Sequence, residues 1–215
     1  MERVDLLVEK YKETVLEHYR WLHAHPELSG QEKESAAYIA AALRKMGLEP
    51  VENVGGYGVT AVIEGKGEGK CIGLRADIDA LPIQENTGLP YASQTPGVMH
   101  ACGHDAHAAM LLGAAYVLNE MRDEFNGKVK LLFQPSEENS ADSGSKRMIA
   151  DGALENPKVD AVIADTYKME GIYYIKVWLN EGELTMGDDI MYVLIGGDIR
   201  PRVVDALQYL VGRVK

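Results

Sequence analysis

Val129 to Phe133 is a short run that is apolar on both strand phases, with only Lys130 interrupting it. Such a run is buried on both faces, which suits a central strand of a covered sheet better than a solvent-facing hairpin. A second run of this kind, Val159 to Ala164, follows it. Three β-like runs precede it, at Glu49–Val54, Gly58–Glu64 and Cys71–Ala76, separated by turns at Gly55-Gly56 and at Gly65 to Gly69. Helical patterns alternate with these strands. Val4 to Ala24 places Leu6, Val8, Tyr11, Val15, Tyr19 and Leu22 near a 3.6 period, and His25-Pro26 breaks it. Gln31 to Met46 is a second helix, with Ser29 as its N-cap candidate and Gly47 as its C-cap. His104–Arg122 and Ser143–Asp151 are two more. This alternation predicts a layered α/β fold with helices on both faces of a sheet. Functional groups of such folds gather where strands give way to loops.

The loop ahead of the third helix concentrates chemistry. His100-Ala101-Cys102-Gly103-His104-Asp105-Ala106-His107 holds three of the six histidines and one of the two cysteines. Thiolate, imidazole and carboxylate are the side chains that bind transition metals at neutral pH. Gly103 feeds an apolar helix, and a helix N-terminus favours anions, a thiolate included. A second acidic cluster, Glu137-Glu138, follows the Val129–Phe133 strand, and Asp77 and Asp79 follow the Cys71–Ala76 strand. One crevice can therefore gather all of them. Asp77 to Met99 is irregular for so long that a functional role is expected of it. His18 and His23, on the first helix, read as surface or boundary residues, and Cys71 as an inert core residue.

Composition narrows the classes. A net charge of −11 argues against nucleic acid, which needs a basic face. No apolar run reaches the ~18 residues that span a bilayer. Two distant cysteines make no disulfide framework, so a reducing, cytoplasmic setting is expected.

Four segments carry a resemblance. Leu74 to Pro82, Met99 to Asp105, Phe133 to Glu138 and the early His25-Pro26-Glu27-Leu28-Ser29 resemble, in order, the M20 family of metallopeptidases. The similarity is strongest to its amidohydrolase branch: N-acyl-amino-acid amidohydrolases, hippurate hydrolases and auxin-conjugate hydrolases. It covers roughly residues 10 to 164. The resemblance implies a divalent-metal site, zinc or manganese, that hydrolyses the amide of a small N-acylated amino acid or peptide. It implies Cys102, His104 and Glu138 as metal ligands, Glu137 as the general base, and Asp79 as a carboxylate steadying the site. It also implies a three-layer α/β catalytic domain with a mixed, mostly parallel sheet, a second metal and a smaller lid domain.

The chain departs from that pattern after residue 164. A histidine expected after the Val159–Ala164 strand is matched by Thr166, and no histidine follows His107. We therefore expect at most one metal per chain, a single catalytic-type domain over residues 1–215, and a divergent tail at 165–215 in place of the lid. Asp165, Asp188 and Asp189 read as acidic loop residues. Impaired activity is expected, the alternative being a non-catalytic, even engineered, scaffold that keeps only the family core. A strand at Tyr173–Leu179, if it forms a sheet edge, could pair with a second copy into a homodimer.

Overall fold

The computed structural model describes residues 3–139, 141–163, 172–179 and 191–197. The expectations placed on Asp165, Thr166, Asp188 and Asp189 lie outside the described residues. The chain divides into two compact units, Met1–Val162 and Ile163–Lys215.

In the first unit α1 (Arg3–Ala24) stops just before His25-Pro26, where the proline ring cannot be accommodated in a continuing helix. Its buried face runs through Leu7, His18 and Leu22, with Val15 packed beside them. The stripe is thus shifted from the one the periodicity suggested: Leu6 and Val8 are exposed, and His18 faces the core. The next helix, α2 (Lys33–Lys45), is not capped by Ser29. The Glu27 carboxylate accepts the free N–H groups of Glu34 and Ser35 at 3.0 and 2.7 Å, which are donors the first helical turn cannot satisfy itself.

The strands are β1 (Val51–Val54), β2 (Gly58–Glu64), β3 (Cys71–Asp77), β4 (Lys128–Gln134) and β5 (Ala161–Ile163), with α3 (His104–Glu120) and α4 (Gly144–Ala150) between them. They form one sheet in the order β1-β2-β4-β3-β5, so the apolar run of β4 does occupy its centre. Lys130, the polar exception, is buried, and its Nζ donates to the Glu155 carbonyl at 2.6 Å. The sheet is mixed. β2 is antiparallel to β1 and β4, whereas β3 and β4 run parallel from Cys71 opposite Lys128 to Asp77 opposite Gln134. Among these pairings the antiparallel ones outnumber the parallel one. The parallel register matters most, because both strands end level and send their loops out from the same edge.

Side chains alternate across the strands, so each face has its own core. Val59, Ala61, Ile63, Ala76, Leu131 and Phe133 pack beneath α1, α2 and α3. Val54 and Leu132 pack with Met148 of α4 on the other face. Burying each of the large apolar side chains contributes about 1.5–3 kcal/mol. α3 approaches α1 closely at Gly113, where a Cβ would lie 2.6 Å from Val15 Cγ2. No helix among the described residues is long and apolar enough to cross a membrane.

In the second unit β6 (Ile172–Leu179) and β7 (Met191–Gly197) pair antiparallel, with Ile175 opposite Ile195 and Trp178 opposite Tyr192.

Candidate metal centre

Asp79 is the node from which the site is built. It lies two residues beyond β3 and is almost fully buried. Ala80 N–H donates to the Glu27 carbonyl and Ser29 Oγ to Asp79 Oδ2, at 2.8 and 2.7 Å, so the early His-Pro-Glu-Leu-Ser segment holds this turn. Asp79 Oδ2 also accepts the Glu138 N–H at 2.9 Å. His104 Nδ1 lies 2.9 Å from the Asp79 carbonyl and 3.1 Å from Oδ1. A carbonyl can only accept, so Nδ1 carries the hydrogen and Nε2 keeps the lone pair of the neutral ring. Burial works against the charge of Asp79. The donors His104, Ser29 and the Glu138 amide outweigh it and hold the carboxyl at about 2.

The two glutamates reach the same place through a backbone turn. Successive strand side chains point to opposite faces, so Glu137 and Glu138 could not both face His104 from a continuing strand. Ser136 breaks the alternation with φ +50°, the left-handed region. Gly144, at the start of α4, donates to the Ser136 carbonyl at 3.1 Å, and any Cβ there would collide with the Pro135 carbonyl. Beyond the turn, Glu137 Oε2 is 3.9 Å and Glu138 Oε1 3.8 Å from His104 Nε2.

The structure brings together two overlapping donor groups. Cys102, His104 and Glu138 offer ligand atoms within 4.8 Å of one another, and so do Asp77, His104 and Glu137. Thiolate, imidazole and carboxylate fit a divalent cation chemically. Glu138 Oε1 fits it structurally: it is buried and has no hydrogen-bond partner, a costly condition that a cation would relieve. Asp77 adds a donor that sequence reasoning did not assign, one whose Oδ1 also accepts from Arg75 Nη2 at 2.6 Å.

The expectation of a helix-stabilised thiolate is not met. Cys102 is an exposed residue, yet partial desolvation of its sulfur, then the neighbouring Glu138, Glu137 and Asp77, raise the thiol to about 11. Desolvation and three nearby carboxylates keep the thiol neutral at pH 7 until a cation displaces its proton. His104 is also raised: burial opposes its charge, but Asp79 and Asp77 outweigh burial.

The helix histidines, expected as surface or boundary residues, are both buried and paired. His23 is buried, with Nδ1 2.5 Å from Asp105 Oδ2 and Nε2 3.2 Å from Glu85 Oε1. It ties α1 to the start of α3 and to the long loop, where Glu85 also accepts the Ser93 N–H at 2.6 Å. Asp105 caps nothing through that oxygen. His18 is buried against Tyr38, its Nδ1 2.8 Å from the phenol oxygen. No periodicity could have flagged these pairings, whose partners lie 20 to 82 residues away.

Comparison with known proteins places the chain. The model of peptidase family M20/M25/M40 matches residues 73–189. An N-acetyl-L-cysteine deacetylase of Bacillus subtilis is 48% identical over 178 residues, covering 83% of this chain and 42% of the relative. An N-acyl-L-amino acid amidohydrolase of Geobacillus stearothermophilus is 35% identical over 227 residues, covering 99% and 60%. A crystal structure of the Bacillus subtilis YXEP protein, described as a dinuclear metal binding peptidase from the M20 family, superposes with a TM-score of 0.67. It is 42% identical and covers 72% of this chain and 42% of that one. The chain thus spans about half the length of the relatives it matches.

Proposed function

The chain belongs to peptidase family M20/M25/M40, and on that premise we propose that it carries the cation site and general base of a metal-dependent amidohydrolase acting on N-acyl amino acids or small peptides. The meeting of Cys102, His104 and Glu138, with Glu138 Oε1 buried and unpartnered, carries this reading. The names of the deacetylase and amidohydrolase relatives support the substrate class.

Cys102, His104 and Glu138 are the ligands in this reading. The second donor group draws on the same imidazole, whose Nδ1 is engaged by Asp79. His104 Nε2 has one lone pair, so the described residues complete a three-donor set for one cation only. The sulfur donor favours zinc over manganese. An oxidised Cys102 would lose its thiolate, so a reducing, cytoplasmic setting suits the site.

A bound divalent cation would supply a Lewis acid for the amide carbonyl and a water acidified towards neutral pH. Glu137 takes the proton of the attacking water on a carboxylate oxygen and returns it to the departing amine. Asp79 keeps Nδ1–H of His104 engaged, so Nε2 stays aimed at the cation. The left-handed turn at Ser136 directs the segment carrying both glutamates towards His104.

The test is hydrolysis of N-acetyl and N-benzoyl amino acids by the 215-residue chain with added Zn²⁺, Mn²⁺ or Co²⁺. Turnover that vanishes in Glu137→Ala supports the proposal. An absence of turnover with every cation rejects it.

A further inference from the structure

The largest conformational demand of the site falls on Ser136, and the residue that meets it stands outside every donor group. Glu32 ends the segment before α2 and has no exposed surface. Its Oε1 accepts the Ser136 N–H at 2.7 Å and the Ser136 hydroxyl at 3.2 Å. Its Oε2 is buried without a hydrogen-bond partner. The hydrogen bonds seen for this carboxyl group therefore all go to one residue. Arg147 Nη2 donates to the same hydroxyl at 3.0 Å from the α4 side, so the hydroxyl accepts from Arg147 and donates to Glu32.

Ser136 needs such a hold. A residue with a Cβ resists φ +50°, and strained conformations persist only where their surroundings over-determine them. If Ser136 relaxed to an extended conformation, the chain beyond it would be redirected and Glu137 and Glu138 would be carried together away from His104. A buried carboxyl with an unused oxygen is costly to keep, and ordinary packing would be served better by an apolar side chain.

We propose that Glu32 is a positioning residue for the metal centre. One carboxyl oxygen acts as a double acceptor that holds Ser136 in the left-handed turn and thereby sets Glu137 and Glu138 towards His104. The inference rests on the cation reading above. It adds a residue at the start of α2 that touches neither cation nor substrate.

The test measures Co²⁺ affinity of the full chain by titration calorimetry, so no turnover is required. Glu32→Ala is expected to weaken binding roughly tenfold or more, the range typical of residues that support metal ligands. Glu32→Gln keeps an acceptor oxygen and is expected to stay within about threefold of the unchanged chain, well short of such a loss. Glycine adopts positive φ freely, so Glu32→Ala combined with Ser136→Gly is expected to recover most of the lost affinity. Glu32→Ala binding as tightly as the unchanged chain overturns the inference and leaves the cation reading standing. So does a double variant as weak as Glu32→Ala alone. An unchanged chain that takes up no Co²⁺ overturns the cation reading itself. If Glu32→Ala does not fold, Ser136→Gly and Ser136→Val decide: glycine retains affinity and valine loses it, and equal affinities overturn the inference.

Discussion

Asp79 and His104 meet twice, through the Asp79 carbonyl at 2.9 Å and its Oδ1 at 3.1 Å, both on Nδ1 of the imidazole. This double contact fixes the ring hydrogen on Nδ1 and turns Nε2 towards Glu137 and Glu138. Asp79→Asn is therefore expected to cost roughly 10–100-fold in Zn²⁺ affinity, measured by competition with a chromophoric chelator.

The same residue predicts an acid-sensitive stability term. Its folded pKa, about 2, lies below the ordinary 3.8, so the contribution is present above about 3.8 and is lost as pH falls through about 2. The shift corresponds to about 2 kcal/mol at neutral pH. Urea unfolding in the presence of a chelator should show Asp79→Asn less stable by that order at pH 7. The gap should close as pH falls to about 2. A gap that is constant with pH contradicts the assignment.

Cys102 predicts proton release. A thiol raised to about 11 must lose its proton to coordinate, so cation binding at pH 7.5 should release about one proton or more. Affinity should fall roughly tenfold for each unit by which pH is lowered, from this group alone. Calorimetry in buffers of different ionisation enthalpy reads the count directly. Binding without proton release would place the cation elsewhere.

The two adjacent glutamates should separate in their effects. Glu137→Gln is expected to lower kcat by about 10²–10⁴-fold while cation affinity stays nearly unchanged. Glu138→Gln is expected to weaken cation binding first. If the two variants behave alike, their division of labour is wrong.

His23 predicts a term of the opposite sign to that of Asp79. Burial opposes its charge, but Asp105 and Glu85 outweigh burial and raise its folded pKa above 6.5. The stabilisation is full below the unfolded value and disappears as pH rises through the raised one. His23→Ala leaves two buried carboxylates unpaired and is expected to cost about 3–5 kcal/mol, read by urea unfolding.

Much of this was legible in order along the chain. β4 lies at the centre of the sheet, as residues apolar on both phases require, and the loop at 100–107 stands out because its side chains are rare together. The requirement for a twist after Pro135 followed from strand geometry alone, and Ser136 supplies it. What escaped depends on contacts distant in sequence. His23 was unremarkable on an amphipathic helix until Asp105 and Glu85 closed on it. Ser29 looked like a helix cap because caps are local, whereas its partner Asp79 is 50 residues away. The protonated state of Cys102 rests on desolvation and on Glu138, Glu137 and Asp77, groups 25 or more residues away that a local reading of one helix end does not see.

The central claim is one cation held by sulfur, nitrogen and oxygen from three residues of two loops. Cobalt titration of the 215-residue chain, followed by sulfur-to-cobalt charge-transfer absorption, tests it most directly. The account predicts a band that saturates at one equivalent and disappears in Cys102→Ser. Saturation at two tightly held equivalents, or cobalt bound with no sulfur band, would contradict it.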